Sequence, residues 1–398
     1  MKKIVSVIAA SSLLLSSVPF IADAADNAPA FEYLTRNGGI CILGCTNCGS
    51  ELKIPEKIDG LPVTSIADTA FDGNNIITSV TIPDSVAEIG AKAFRACSKL
   101  NKLSLGSGVA EIGEYAFTAC PTLSKIEVNK NNPTYSTISD CLYHNGDTLL
   151  LYAGSKDAVI PDNTKTIAKG AFFGKADITS VTFPESVSII DDNAFSGCVS
   201  LKSVDIPDSV KALGKGCFMS CNALESVSLG KSLNSVPEDC FHSCTSLEKV
   251  NLSDLLISIG KNAFYSCSSM KSIYIPPNVR TIGADAVGRR YSIRSDSSEN
   301  IPNFIIRGEK GSAAEKYALD HDFAFGIGKL ILGDVNGDKR IDSVDASNVL
   351  KEYSVLSSGG KAAFTEAQRE AADWNGDDRV DSVDASAILA EYARLQTL

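Results

Sequence analysis

Apolar positions recur through the middle of the chain at one spacing. An Ala-Phe-like pair ends at Phe71, Phe94, Phe117, Phe172, Phe195, Phe218, Phe241, Phe264 and Val287, every step being 23 residues except one of 55. A shared frame surrounds each pair. Its fullest form is Leu100-x-x-Leu103-x-Leu105, and later copies read Leu201-x-x-Val204-x-Ile206-Pro207 and Leu247-x-x-Val250-x-Leu252. An Ile-like position joins them at Ile66, Ile89, Ile112, Ile167, Ile190, Leu213, Val236, Ile259 and Ile282. Short Val-x-Ile words send alternate side chains to opposite faces, so they predict brief strands about 4.8 Å apart that line one face. Pro83, Pro184, Pro207 and Pro276 end them, because proline cannot continue a ladder. No repeat buries its own apolar face, so stacking must supply the core.

The breaks in this pattern predict the organisation. Residues 25–61 are expected to form a starting cap and residues 62–303 a repeat array, with residues 304–328 as a closing cap and residues 331–398 as a separate domain. The long step, near 133–160, holds two apolar runs, Cys141 to Tyr152, around Asn145-Gly146-Asp147. That is the pattern of a hairpin, expected to protrude. Gly311 to Ala318 reads as a closing helix. A period in the twenties with Leu-x-x-Leu-x-Leu marks a leucine-rich repeat solenoid of the α/β type with short parallel strands. The sequence form resembles the BspA-like leucine-rich repeats of bacterial surface and secreted proteins over most of residues 31–326. That resemblance implies adhesion or protein recognition.

Polar patterning takes over at the C-terminus. Asp334, Asn336, Asp338, Asp342 and Asp345 fall at positions 1, 3, 5, 9 and 12 of a loop, and Asp373, Asn375, Asp377, Asp381 and Asp384 repeat the spacing. The backbone carbonyls of Arg340 and Arg379 would fill position 7. Oxygens at that spacing converge on a hard cation that takes six to eight of them, so two Ca2+ ions are expected. Lys339 and Asp378 stand where such loops favour glycine, and a left-handed lysine costs about 1 kcal/mol. Helical runs follow, Ser343 to Tyr353 and Ser382 to Leu395, each carrying Asp-Ser-Val-Asp-Ala-Ser and then Glu-Tyr. The duplication resembles the type I dockerin, a small all-α calcium-binding module that plugs into cohesin modules of a scaffoldin in cellulosome-like complexes. The resemblance implies cohesin contacts at Ser343, Val344, Leu350 and Lys351 in the first copy and at Ser382, Val383, Leu389 and Ala390 in the second. Lys351 opposite Ala390 makes the copies unequal, which leaves a two-way binding mode open.

Other features set the compartment and exclude partners. Lys2 and Lys3 precede an apolar run, Ile4 to Ile21, and Ala22-Asp23-Ala24 is a small-x-small cleavage pattern, so residues 1–24 read as a secretory leader. No later segment approaches the roughly 20 apolar residues of a membrane span. A net charge of -11 without a basic face argues against nucleic acid and anionic membranes.

Twelve cysteines invite disulfides, yet Cys97, Cys120, Cys198, Cys221, Cys244 and Cys267 all fall three residues after a repeat phenylalanine. They are a repeat position and are expected as buried thiols, as are Cys217 and Cys240. Cys41, Cys45 and Cys48 lie outside that logic and leave either one disulfide or a metal site. His144, His242 and His321 share no motif, Ser-x-x-Lys at Ser228 and Ser246 arises from the repeat frame, and no phosphate loop or nucleophile elbow appears. No catalytic residue is assigned. The strand face carries a small polar stripe with Lys102, Lys125, Glu127, Asp205, Lys249 and Tyr274. With one aromatic it suits a protein or peptide partner better than a polysaccharide. The expected function is a secreted, non-catalytic binding protein carried on a scaffoldin. The alternative is an enzyme-associated component of the same complex, either an inhibitor or an uncharacterised hydrolase.

Overall fold

The computed structural model describes residues 30–154, 156–338, 340–377 and 379–397. The expected leader, Lys339 and Asp378 lie outside the described residues. The chain divides into two compact units between Ala176 and Asp177, inside the repeat array.

The first unit opens with a hairpin, Ala30–Arg36 antiparallel to Gly39–Thr46, turned by Asn37 and Gly38, both at positive φ. Two parallel ladders then build up coil by coil. One runs through Glu51–Lys53, Ser79–Ile82, Lys102–Leu105 and Lys125–Val128, with Ser79 facing Lys102 and Lys102 facing Lys125. The other continues from Gly39–Thr46 through Leu61–Ile66, Glu88–Ile89 and Glu111–Ile112. The Ile-like positions thus form a second ladder, where the pattern suggested only one. Two residues per coil are too few to show an alternation in sequence. Val80, Leu103, Ile66, Ile89, Phe94 and Phe117 fill the core, and the rings of Phe71, Phe94 and Phe117 stack at 4.9 and 5.3 Å.

Each coil closes through a tight turn. Thr69, Lys92 and Tyr115 take φ of 59°, 57° and 59° one repeat apart, a conformation that costs an L-residue roughly 1 kcal/mol. The neighbouring coil holds them there: the amides of Phe71 and Phe94 donate to the carbonyls of Ala93 and Ala116 at 2.7 Å. Glycine is required where coils approach most closely. A Cβ on Gly90 or Gly113 would meet the previous coil's backbone at 2.4 Å.

The long step does not protrude. Tyr135–Ile138, Cys141–His144 and Thr148–Leu151 form an antiparallel meander whose last strand pairs in parallel with Thr166–Ile167. Leu142, Tyr143 and Leu149 are buried, and the Tyr143 hydroxyl hydrogen-bonds Thr164 Oγ1 at 2.7 Å. Residues that apolar on both faces cannot stand in solvent. Tyr152 takes the place of the repeat phenylalanine, stacking on Phe172 at 4.4 Å, with its amide donating to the Ala171 carbonyl at 2.9 Å.

The second unit repeats the scheme. Ser203–Asp205, Ser226–Ser228 and Lys249–Asn251 form one ladder, and Ser235–Val236, Ser258–Ile259 and Thr281–Ile282 another. Phe195, Phe218, Phe241 and Phe264 stack at 5.1, 5.5 and 5.2 Å. An unanticipated hairpin, Arg289–Ser292 with Ser297–Asn300, follows. The closing region is more than a helix: Ser272–Tyr274, Ile305–Gly308 and Ala324–Ile327 pair in parallel, with α1 (Ala313–Asp320, capped by Ser312) between the last two strands.

Three helices complete the unit: α2 (Ser343–Ser357), α3 (Glu366–Ala372) and α4 (Ser382–Leu395). Helix α2 outruns the expected end at Tyr353, and α3 was not foreseen. Val335, Ala346, Val349, Ala372, Ala385 and Ile388 form their core, with Trp374 packed against it.

Candidate functional site

The two C-terminal loops fold alike down to single hydrogen bonds. Asp334 Oδ1 accepts from the amides of Gly337 at 2.8 Å and Asp338 at 3.0 Å. Asn336 Oδ1 accepts from Asp338 N at 2.8 Å, and Asp338 Oδ1 from Arg340 N at 2.9 Å. Asp345 Oδ1 receives the Val335 amide at 2.9 Å, and its Oδ2 the Asp342 amide at 3.0 Å. In the second loop Asp373, Asn375, Asp377 and Asp384 accept from Asp377, Asp377, Arg379 and Trp374 at 3.0, 3.0, 2.9 and 2.9 Å.

Asp342 with Asp345, and Asp381 with Asp384, also form capping boxes at the starts of α2 and α4. That role was missed, although an acid three residues after an N-cap acid, ahead of an apolar run, is its signature. Glu352 was missed too. Its buried carboxylate accepts the amides of Ala363 and Phe364 at 3.0 and 3.1 Å and pins the chain between α2 and α3.

The loop oxygens suit a hard cation. Each loop brings four carboxylates, one carboxamide and one backbone carbonyl, with no nitrogen or sulfur ligand. Among the described residues no three acidic, histidine or cysteine side chains already form a closed cage, because the carboxylates converge on backbone N–H groups. Asp345 and Asp384 are fully buried, and burial pushes the Asp345 carboxyl above its ordinary value. A buried carboxylate needs a compensating charge, which a bound divalent ion supplies.

The helix faces beside the loops are exposed at matching positions. Val344 and Leu350 are 52% and 44% accessible, and their counterparts Val383 and Leu389 are 57% and 42%. Ser343, Lys351, Ser382 and Ala390 are exposed alongside them.

The six strand-face residues separate into two groups. In the first unit Glu127 pairs with Lys102 Nζ at 2.9 Å and Lys125 Nζ at 3.0 Å, and the two lysines hold its carboxyl down to about 2. In the second unit Asp205 and Lys249 are exposed and Tyr274 is half-buried, its phenol pushed up by burial and by the charges of Glu309 and Asp254.

The cysteines behave as a repeat position with a defined task. Cys97, Cys120, Cys221, Cys244 and Cys267 are buried, and each thiol donates to the carbonyl of the phenylalanine 26 residues earlier at 3.2 to 3.3 Å. Cys217 and Cys240 sit with their sulfurs 3.3 Å apart. In the cap, Cys45 and Cys48 form a disulfide and Cys41 is a free, half-exposed thiol. Of the histidines, His242 pairs with Asp239 at 3.0 Å, His321 stacks on Tyr317 at 4.2 Å, and His144 lies beside Tyr135 at 5.5 Å. Among the described residues no helix is long and apolar enough to cross a membrane.

A family model of the BspA-type leucine-rich repeat region matches in six copies, over residues 64–150 and 165–294, more than half of the 398 residues. The chain belongs to the BspA-type leucine-rich repeat proteins. The gap between the two matched spans falls just after the meander, where the 23-residue period is lost. This BspA-type protein also carries a type I dockerin domain, matched at residues 332–391. Type I dockerins bind calcium, and the presence of one implies cohesin binding. Both modules are typical of extracellular proteins.

Similar solved structures include a leucine-rich repeat protein from Eubacterium ventriosum, 20% identical over 64% of this chain and 91% of that one, with a TM-score of 0.45. A leucine-rich cell surface protein from Faecalibacterium prausnitzii is 19% identical over 79% and 96%, with a TM-score of 0.39. The pneumococcal vaccine antigen PcpA is 16% identical over 79% and 100%, with a TM-score of 0.40. The search of curated proteins gave no match.

Proposed function

We propose that this is a secreted, non-catalytic binding protein that attaches to a cohesin-bearing scaffold through its C-terminal module while its repeats present a face to a second partner. In this reading residues 1–24 are a leader, residues 25–328 the capped solenoid and residues 331–398 the docking module. The observation that carries the proposal is the match between the two helix faces. Val344 and Val383 keep about half of their apolar surface in solvent at equivalent points of the duplication, although each helix buries an apolar stripe of its own. Exposed aliphatics repeated in that way suit an interface core.

Asp334, Asn336, Asp338, Asp342, Asp345 and the Arg340 carbonyl would hold one calcium ion, and Asp373, Asn375, Asp377, Asp381, Asp384 and the Arg379 carbonyl a second. Each ion would neutralise carboxylates that otherwise repel one another, which keeps both helix starts in place to present the exposed valines. Arg307 in the closing strands forms an ion pair with Glu370 of α3, so the module is held against the repeats rather than hung on a tether.

The strand face is proposed as the second interaction surface. Lys102, Lys125 and Glu127, and separately Asp205, Lys249 and Tyr274, suit a protein or peptide partner read by hydrogen bonds and charge. The deciding experiment is a pull-down of the mature protein from the culture supernatant of its source, with calcium and then with a chelator. A scaffold-sized partner released by chelation is the expected result. No calcium-dependent partner would reduce the module to a stabilising cap.

A further inference from the structure

The two acidic loops are alike inside but not in what precedes them. Glu370 lies three residues ahead of Asp373, the first ligand position of the second loop, whereas Ile331 occupies the same place ahead of Asp334. Glu370 stands in the last turn of α3, and Asp373 is that helix's C-cap, its amide donating to the Arg369 carbonyl at 2.9 Å. Wherever the end of α3 goes, the Asp373 carboxylate goes with it. The second loop also faces the repeats. Asp373, Arg379 and Asp381 line a cleft of about 1140 Å3 together with Met270 and Lys271 of the last coils and Ile305 of the closing strands. No described residue of the first loop lines it.

The closing strands hold the end of α3. Arg307 is only 3% exposed, and its guanidinium donates to Glu370. It lies on strand Ile305–Gly308 opposite Gly326 of the next strand, where a Cβ would meet its Nη1 at 2.9 Å and its Cγ at 3.1 Å. Glycine at that position leaves the arginine its room. Among the described residues the buried Nε has no hydrogen-bond partner, so the contact with Glu370 matters the more. A buried cation separated from its acid is left uncompensated, which ties the cap to α3 as firmly as it ties α3 to the cap.

We propose that Arg307 and Glu370 are positioning residues for the second calcium ion: the solenoid's closing cap holds the end of α3 so that Asp373 meets the ion already in place. Calcium affinity is thereby coupled to the seating of the module on the repeats. The inference rests on the calcium reading above. A ligand group that is placed beforehand loses less conformational freedom when the ion arrives, so a seated module binds calcium more tightly than a loose one. The coupling is reciprocal, and the bound ion in turn favours the seated module.

The test is a calcium titration of the full-length chain, first stripped with a chelator and followed through the emission of Trp374, the second residue of that loop. Arg307→Met changes only the solenoid and puts an apolar side chain in place of a buried cation, while Glu370, 25% exposed, stays within reach of water. Glu370→Gln changes only the module. Each variant should raise the midpoint calcium concentration at least about fivefold, and the double variant should match the singles, because both remove the same interaction. Glu391→Gln breaks an ion pair confined to α4, with Arg394, and should leave the midpoint within about twofold. An unchanged midpoint in either single variant, losses that add in the double one, or an equal shift from Glu391→Gln would overturn the positioning role while leaving the calcium reading intact. No response of Trp374 to calcium in the unaltered chain would overturn the calcium reading itself.

Discussion

The repeat array and the C-terminal module are both products of duplication, yet they satisfy their polar groups in opposite ways. In the array each coil meets the needs of the next: the Phe94 amide donates to Ala116, and the Cys120 thiol donates to the Phe94 carbonyl at 3.3 Å. No charge is needed, and the stacked phenylalanines stay apolar. In the module, duplication places two acidic loops on one small core, with Asp345 and Asp384 wholly buried. The array is completed by more copies of itself. The module is completed by something the chain does not contain, and only the module should therefore respond to a chelator.

The sharpest way to break that contrast uses Trp374, the chain's single tryptophan, which packs on the module's core from within the second loop. Its emission reports the module and nothing else. Chelation, or the pair Asp334→Ala and Asp373→Ala, should abolish the module's cooperative unfolding and shift the emission toward that of a solvated indole. The far-ultraviolet signal of the strands should persist. Unchanged emission would mean that the loops fold without a cation.

Next in size is the aromatic ladder. Phe218 is fully buried between Phe195 and Phe241, and Phe218→Ala should cost about 3 to 5 kcal/mol in urea unfolding, with the tryptophan signal unaltered by calcium removal beyond that of the parent. A loss below about 1 kcal/mol would show that the ring is not packed between its neighbours, because burying a phenylalanine is alone worth about 1.5 to 3 kcal/mol.

A smaller effect separates the thiol's two roles. Cys244→Ala removes the bond to the Phe218 carbonyl and should cost about 1 kcal/mol. Cys244→Ser keeps a donor of smaller size and tests whether the hydrogen bond or the volume matters more. If the two variants match, the carbonyl does not need the donor.

The smallest change concerns Glu127, whose carboxyl is held near 2 by Lys102 and Lys125, below its ordinary 4.5. A depressed carboxyl stabilises the fold above its ordinary value and loses that contribution as the pH falls toward 2. The group is largely exposed, so Glu127→Gln should cost under about 1 kcal/mol at neutral pH. The difference from the parent should vanish near pH 2. A difference that grew in acid would contradict the ion pairs.

Legibility followed the physics of each region. The 23-residue period placed Phe94, Phe117 and the cysteine column correctly, because a buried position in a stacked coil tolerates few residue types. The same period hid Tyr152, which does the work of a repeat phenylalanine after an irregular step. A tyrosine in a meander gives no hint that its ring will land on the next coil's Phe172. The expected protruding hairpin failed for the same reason: Leu142 and Leu149 are apolar whether a strand stands alone or is paired on both sides, and only its neighbours decide. At the module, the loop spacing marked out two matching acidic loops, and Asp334 and Asp373, Asn336 and Asn375, and Asp338 and Asp377 make equivalent backbone hydrogen bonds in them. The capping boxes and the Glu352 pin depend on where helices start and end, and the chain reveals that less sharply.

What the amino-acid sequence determined by itself was therefore periodic or local: the coil length, the ring and thiol columns, the oxygen spacing of two loops and the valines beside them. Those follow from bond geometry and from what a buried site or a hard cation accepts. The tertiary structure alone decided what depends on distant parts of the chain meeting. It gave the array a second ladder, took the irregular step into the core and set Arg307 against Glu370. Two loops written in almost the same words thereby came to have different surroundings, with Glu370 and its partner Arg307 just ahead of the second, because identical local sequences share their local forces but not the chain that folds up beside them.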